Sequence, residues 1–290
     1  MVETGSSAVL RCREIREDDI DNLVVLLTRG FASGRDYWTR ALGRLRDHPT
    51  PPGLPKYGYV LDDDGALVGV LLLIFTDLRV TGESRIRCNI SSWYVDPAYR
   101  SYGSLLALRA IRHKDATFFN TSPAPHTWPI LEKQGFVPFA TGRTIAIPAL
   151  ALSPTGARVQ AFQQDVRPGQ DLNQAEIDVL GHHANYGCLS MICEVDGERH
   201  PFVFGVDRRY RLMPIAHLVY CRNLREFVRL AGPLGRFLAR RGCIVVKFNS
   251  NGPTRGIVGK HYPGGPKYRK GGDQIRPGDV AYSEQAMFGY

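Results

Sequence analysis

Apolar residues recur along this chain in two rhythms, and the local rhythm predicts the local element. Val9 to Ile15 alternates loosely and predicts a strand. Arg16-Glu17-Asp18-Asp19 then opens a helix carrying Ile20, Leu23, Val24, Leu26 and Leu27, its acidic start matched to the unpaired amides of a helix N-terminus. A second helix, Tyr37 to Arg46, stops before the Pro- and Gly-containing loop His48 to Gly53. Tyr57–Leu61 and Ala66–Phe75, joined by Asp62-Asp63-Asp64-Gly65, form a hairpin. A turn at Thr81-Gly82-Glu83-Ser84 and a third strand, Ile86 to Val95, complete an antiparallel meander.

That strand runs into Asp96 to Ser104, a loop that feeds a helix with apolar Leu105, Leu106, Leu108 and Ile111 and basic Arg109, Arg112, His113 and Lys114 at its end. A short strand at Thr117–Asn120, a short helix at His126–Gln134 and a strand through Ile147 follow. The second half repeats this order: a helix at Ala175–His182, a hairpin of Leu189–Val195 and Pro201–Val206 around Asp196-Gly197, and a strand at Pro214–Cys221. A helix from Leu224 to Arg241, broken at Gly232-Pro233, leads to a strand at Cys243–Asn249. Phe118-Phe119-Asn120-Thr121-Ser122-Pro123 pairs with Val246-Lys247-Phe248-Asn249-Ser250-Asn251-Gly252-Pro253, each after a long helix, which points to an internal duplication. With Ser153-Pro154 and Arg167-Pro168-Gly169 marking the junction, the expected organisation is α/β (α+β), two mixed-sheet halves at 1–150 and 151–290.

Composition narrows the classes of function. The 290 residues are 43% hydrophobic and 22% charged, which excludes disordered, collagen-like and coiled-coil chains. Lys and Arg number 37 against 28 Asp and Glu, a net charge of +9 that favours an anionic partner. The six cysteines form no C-x-x-C pair, so free thiols in a reducing cytoplasm are expected. His182, His183, Cys188, Cys193 and His200 do not have the spacing of an ordinary zinc site, and no metal is expected. The N-terminal residues are polar, and the longest apolar run, Ala66 to Phe75, is too short to span a bilayer, so neither export nor insertion is expected. Nucleophile-elbow, Walker and dinucleotide motifs are absent.

The segment Val95-Asp96-Pro97-Ala98-Tyr99-Arg100-Ser101-Tyr102-Gly103-Ser104 carries the most chemistry. A strand that delivers a short loop to a helix N-terminus aims backbone amides at one point, and these bind phosphate groups with help from the dipole. Gly103 permits close approach of a ligand, and Arg100 adds a charge-assisted contact. The segment resembles the pyrophosphate loop of the GCN5-related N-acetyltransferases: Val95, Pro97, Arg100 and Gly103 match, while Ser101 replaces a common glycine and Leu105 departs at the last small position. Glu132-Lys133-Gln134-Gly135-Phe136 is similar to that family's E-K-x-G-F ending.

The resemblance implies an acyltransferase that moves an acyl group, acetyl by default, from acyl-CoA to the amine of a small metabolite or amino sugar. It implies that Ser92, Trp93, Tyr94 and Val95 run beside the pantetheine, that amides of Arg100, Ser101, Tyr102, Gly103 and Ser104 hold the pyrophosphate, and that Asn120 faces them. Where many members have a tyrosine that protonates the leaving thiolate, this chain has Leu131. Substitutes for that acid are His126, Tyr94 and Tyr102, and proton acceptors for the amine are Glu83, Asp77 and Ser92. Tyr220-Cys221-Arg222-Asn223-Leu224 enters its helix without glycine, so one acyl-CoA per chain is expected, the second half helping to build the acceptor site.

Two other readings stand beside this one. A domain without a proton route would bind acyl-CoA as a regulator or scaffold without turnover. The segment Lys260 to Gly272, expected as a loop, interleaves bases, aromatics and glycines; it suits a substrate or cofactor contact, or stacking on nucleic acid.

Overall fold

Amphipathic helices and a hairpin build the first part of the chain in the computed structural model, which describes residues 10–80, 83–208 and 213–289. Strand β1 (Leu10–Glu14) is followed by α1 (Ile20–Gly30), whose Leu23, Val24, Leu26 and Leu27 are buried. The acidic turn before α1 is anchored by Asp19, which accepts the Arg16 amide at 2.8 Å and the Arg13 guanidinium at 2.7 and 2.8 Å. Helix α2 (Arg35–Asp47) buries Trp38, Ala41, Leu42 and Leu45, one stripe at helical spacing. Strands β2 (Gly58–Asp63) and β3 (Ala66–Val80) form the hairpin, with Asp64 at φ 50° and Gly65 at φ 89°, the left-handed pair a tight hairpin turn needs. β1 pairs antiparallel with β2 from Leu10↔Asp63 to Glu14↔Tyr59.

Strand β4 (Glu83–Val95) leads through a 3-10 helix, Pro97–Tyr102, into α3 (Gly103–Ala110), and β5 (Thr117–Asn120) follows. Three expectations are corrected here. β3 continues past Phe75, and β4 begins at Glu83, so Glu83 and Ser84 belong to a strand; Thr81 and Gly82 lie outside the described residues. α3 ends at Ala110, which leaves Arg112, His113 and Lys114 beyond it. There His113 has a use of its own, its Nε2 lying 2.8 Å from the Tyr59 hydroxyl.

The rest of the chain contributes α4 (Trp128–Lys133), β6 (Val137–Ala146), β7 (Arg158–Ala161), α5 (Gln174–Asn185), β8 (Leu189–Val195), β9 (Glu198–Asp207) and β10 (Ile215–Tyr220). It ends with α6 (Leu224–Arg229), α7 (Ala231–Ala239), β11 (Val245–Ser250), β12 (Gly259–Lys270) and α8 (Glu284–Met287). The strands run side by side in the order β12-β6-β11-β10-β9-β8-β7. β10 and β11 pair parallel and the other pairs of this series antiparallel, so the sheet is mixed. Phe202, Phe204, Phe227, Leu230, Leu234 and Phe248 fill its core on the α6–α7 side. Asn173 caps α5 reciprocally with Glu176, each side chain taking the other's amide at 3.0 and 3.1 Å.

The helix after β10 breaks at Leu230, not at Gly232-Pro233. Pro233 lies in the first turn of α7, where no amide partner is lost, and a Cβ on Gly232 would come within 2.7 Å of the Leu152 carbonyl oxygen. The basic segment expected as a loop is strand β12, paired with β6 from Gly259↔Ala146 to Arg269↔Val137. Its prolines are accommodated because the register breaks between Pro263 and Lys267, where Gly264 (φ 95°) and Gly265 (φ 65°) form a bulge.

The described chain divides into two compact units. One takes in the residues up to Asp77 together with Arg85–Phe118; the other takes in Leu78–Ser84 and the chain from Phe119 onward. The units thus part well before residue 150, since β6 is held between β12 and β11.

Candidate functional site

In the first unit the site grows out of a break in β4. Ser92 stands at φ 48°, a left-handed conformation that costs a non-glycine residue about 1–2 kcal/mol, in the interior of a strand. Its hydroxyl lies 3.0 Å from that of Ser91. Beyond the break Trp93, Tyr94 and Val95 are half-buried, and the Asp96 amide ties the strand end to β3 by donating to the Val68 carbonyl at 2.8 Å.

Asp96 is the anchor of the turn that follows. Its carboxylate accepts the Tyr94 hydroxyl at 2.9 Å and the Arg29 guanidinium at 2.6 Å, joining the end of α1 to the start of the 3-10 helix. Burial, reinforced by the Asp96 carboxylate, raises the Tyr94 pKa. The Tyr94 hydroxyl is therefore a committed donor that holds its proton, which weakens its candidacy as the acid for a thiolate. Tyr99 is fixed in the same way by a hydrogen bond to Asp63.

Arg100, Ser101, Tyr102 and Ser104 are exposed along this turn, and Gly103 is buried. The turn is wound more tightly than an open loop, for the Gly103 amide donates to the Arg100 carbonyl. Neither the 3-10 helix nor α3 has an acidic residue in its first turn. Among the described residues Arg100 has no ion pair and is exposed, and the carboxylate at the start of the 3-10 helix, Asp96, is already engaged by Arg29 and Tyr94. The structure brings Trp93, Val95 and Gly103 together: a Cβ on Gly103 would lie 3.4 Å from Val95 Cγ2 and 3.9 Å from Trp93 Nε1.

Of the remaining expected residues, Glu83, Asn120, His126 and Leu131 belong to the second unit, and Asp77 and Tyr102 to the first. Asn120 is buried at the end of β5, its side-chain oxygen accepting the Ser122 amide at 3.0 Å. His126 is exposed in the 3-10 turn Pro125–Thr127, and Leu131 is buried in α4. Asp77 and Glu83 lie on β3 and β4. Tyr102, the third substitute acid, is 46% exposed.

The residues weighed for zinc have other uses. His183 donates from Nδ1 to the Val179 carbonyl at 2.7 Å and accepts the Tyr282 amide at Nε2 at 3.0 Å. His200 binds Glu226. Burial pushes the Cys193 thiol up to about 11. Among the described residues there is no group of three or more His, Cys, Asp or Glu placed to hold a metal ion. No described helix is long and apolar enough to cross a membrane.

Sequence reasoning missed a recess in the second unit. β10 and β11 are in register only from Ile215↔Val245 to His217↔Lys247, and β10 is irregular again between Leu218 and Tyr220. The recess is lined there by His217, Lys247 and Asn249, with Arg143 of β6, Lys267 of β12 and Gln285 of α8. Burial, with Lys247 and Arg143 nearby, lowers the Lys267 pKa to about 8 against the opposing pull of Glu284. Glu284 is itself pushed up by burial, and accepts the Thr121 hydroxyl at 2.9 Å and that of Ser122. No local signal marks this group, since its members come from five separate elements.

No protein-family model and no curated protein matches the chain. Solved structures do. A GCN5-related N-acetyltransferase from Anabaena variabilis superimposes with a TM-score of 0.59 at 12% identity, over 90% of this chain and 72% of that one. One from Kribbella flavida gives 0.54 at 14% identity, over 91% and 71%. The fold is that of the GCN5-related N-acetyltransferases. A third structure with this fold, a glucosamine N-acetyltransferase region within a fungal multi-domain beta-N-acetylglucosaminidase, gives a TM-score of 0.56 at 12% identity over 91% of this chain and 38% of that one.

Proposed function

We propose that this chain is a cytoplasmic acyl-CoA-dependent N-acyltransferase of tandem build. Its first half, 1–150, would bind acyl-CoA, and its second half, 151–290, would help build the acceptor site. The observation that carries the reading is the Arg100 turn: an exposed cation and a helix N-terminus directly follow a strand broken at Ser92, in an acetyltransferase fold. The turn would hold the CoA pyrophosphate, and Trp93 and Val95 would flank the pantetheine. The counterpart turn in the second half is unlike it. Arg222 is paired with Glu176 at 2.6 Å, and Glu226 occupies the first turn of α6, which supports one acyl-CoA per chain.

The acceptor's amine would attack the thioester carbonyl. A C–N bond forms, the C–S bond breaks, the thiolate takes a proton and the amine loses one, so the protein's work is positioning and proton movement. Acetyl transfer to a small metabolite or amino sugar is the default, and the glucosamine N-acetyltransferase region among the similar folds supports an amino sugar. His126 and Tyr102 remain the candidates for protonating the thiolate, and Ser92, Asp77 and Glu83 for relieving the amine of its proton.

A second reading, acyl-CoA binding without turnover, is favoured by the buried Leu131 at the position of the usual acid and by the commitment of Tyr94 to Asp96. Thermal denaturation with CoA, acetyl-CoA and longer acyl-CoAs, for the parent and Arg100→Glu, tests both, because a ligand of the folded state raises Tm. The proposal expects a rise that the variant loses, and product with at least one amine. A rise without product across a wide amine panel selects the second reading. No rise, or an equal rise in the variant, removes the assigned site.

A further inference from the structure

We propose that the recess between β10, β11, β6 and β12 is a binding site for a compact oxyanion, the phosphate or carboxylate end of a small molecule. The proposal stands on the second unit alone and does not require acyl-CoA at Arg100.

Register places the polar groups on one face. His217 is opposite Lys247, and Asn249 is opposite Arg143. Lys247 and Asn249 are two apart on β11, so they and their partners project to the same side. Val246 and Phe248, before and between them on the alternate positions, are buried. β12 then adds Lys267 from beyond its bulge, at Lys267↔Ala140. The bulge sits beside Arg143, for a Cβ on Gly265 would stand 3.9 Å from its Nη1.

Two lysines, an arginine and a histidine thus converge, and no carboxylate is among the described residues lining the recess. The acid that opposes this charge at Lys267 is Glu284, whose Oε1 is already shared by the Thr121 and Ser122 hydroxyls. Gathering like charges in a half-buried recess is costly, and an anion reverses that cost. The recess occupies the place where two parallel strands lose their pairing, so it is formed by the backbone and does not wait for a loop to close. Asn249 and Gln285 supply neutral donors at the rim, which suits an oxyanion with several acceptor oxygens.

The test is thermal denaturation of the full chain titrated separately with inorganic phosphate, citrate and CoA, against sodium chloride at equal ionic strength. The expected result is a saturable rise in Tm with phosphate or citrate beyond the chloride control, and the larger response tells a phosphate ligand from a carboxylate one. Lys267→Met and Arg143→Gln are each expected to weaken the apparent affinity at least tenfold, and Arg100→Glu to leave it unchanged. Lys267→Met removes a half-buried charge and is expected to melt no lower than the parent, so a lost response is not a lost fold. If a CoA response vanishes with Lys267→Met and survives Arg100→Glu, the anion site stands and the assignment of the Arg100 turn falls. No saturable rise with phosphate or citrate, or a rise that the Lys267→Met/Arg143→Gln double variant retains, overturns the proposal.

Discussion

Gly30 lies against the face of the Tyr94 ring, so that a Cβ built on it would come within 2.6 Å of both Cδ carbons. The last residue of α1 thereby sets how closely the helix approaches β4, and the Arg29–Asp96 pair beside it fastens the same junction. Gly30→Ala must push the ring away. It is expected to cost about 1–3 kcal/mol, read as a lower urea midpoint with an unchanged m-value. A midpoint equal to the parent's would show that the junction yields freely.

Gly103 presents the opposite case. Its φ is −55°, open to any residue, and a Cβ there would make ordinary contacts at 3.4 Å and beyond. Neither conformation nor packing requires glycine, whereas the proposed cofactor site would use it for close approach of the ligand. Gly103→Ala is expected to keep or raise stability, by up to about 1 kcal/mol, while weakening acetyl-CoA at least tenfold. Calorimetric titration measures the second effect, and undiminished affinity would remove Gly103 from the cofactor site.

Tyr94 is expected to act as a clamp. Its hydroxyl is bound to Asp96, and burial together with that carboxylate raises its pKa. Tyr94→Phe should cost about 1 kcal/mol of stability and lower kcat less than tenfold with any amine that proves to be a substrate. A loss of a hundredfold or more in kcat at unchanged KM would instead make Tyr94 the acid.

Lys267 gives a pH signature. Its pKa is lowered from 10.5 to about 8, so the unfolded chain binds more protons than the folded one between those values. The penalty is fully present below pH 8 and is relieved as pH rises towards 10.5. Relative to Lys267→Met, the parent should gain up to about 3 kcal/mol across that window. The comparison with the variant cancels the buried tyrosines, such as Tyr220, which titrate at higher pH. A flat difference would mean that Lys267 is solvated.

The sequence by itself determined what depends on local periodicity. The stripes Leu23-Val24-Leu27 and Trp38-Leu42-Leu45 each bury one face, and Asp64-Gly65 closes a hairpin whatever surrounds it. The path from Val95 through Arg100 to Leu106 was legible for the same reason, because strand, turn and helix follow one another without a break. Only the tertiary structure decided that Lys260 to Lys270 is a strand. Its Lys-His-Tyr-Pro-Gly-Gly-Pro text has no apolar alternation, and what holds it is backbone pairing with β6, more than a hundred residues earlier. The same holds for Ser92, whose left-handed backbone leaves no mark in composition, and for Arg143, Lys247 and Lys267. Charges so far apart along the chain meet because sheet register, a property of pairs of strands, puts them on one face.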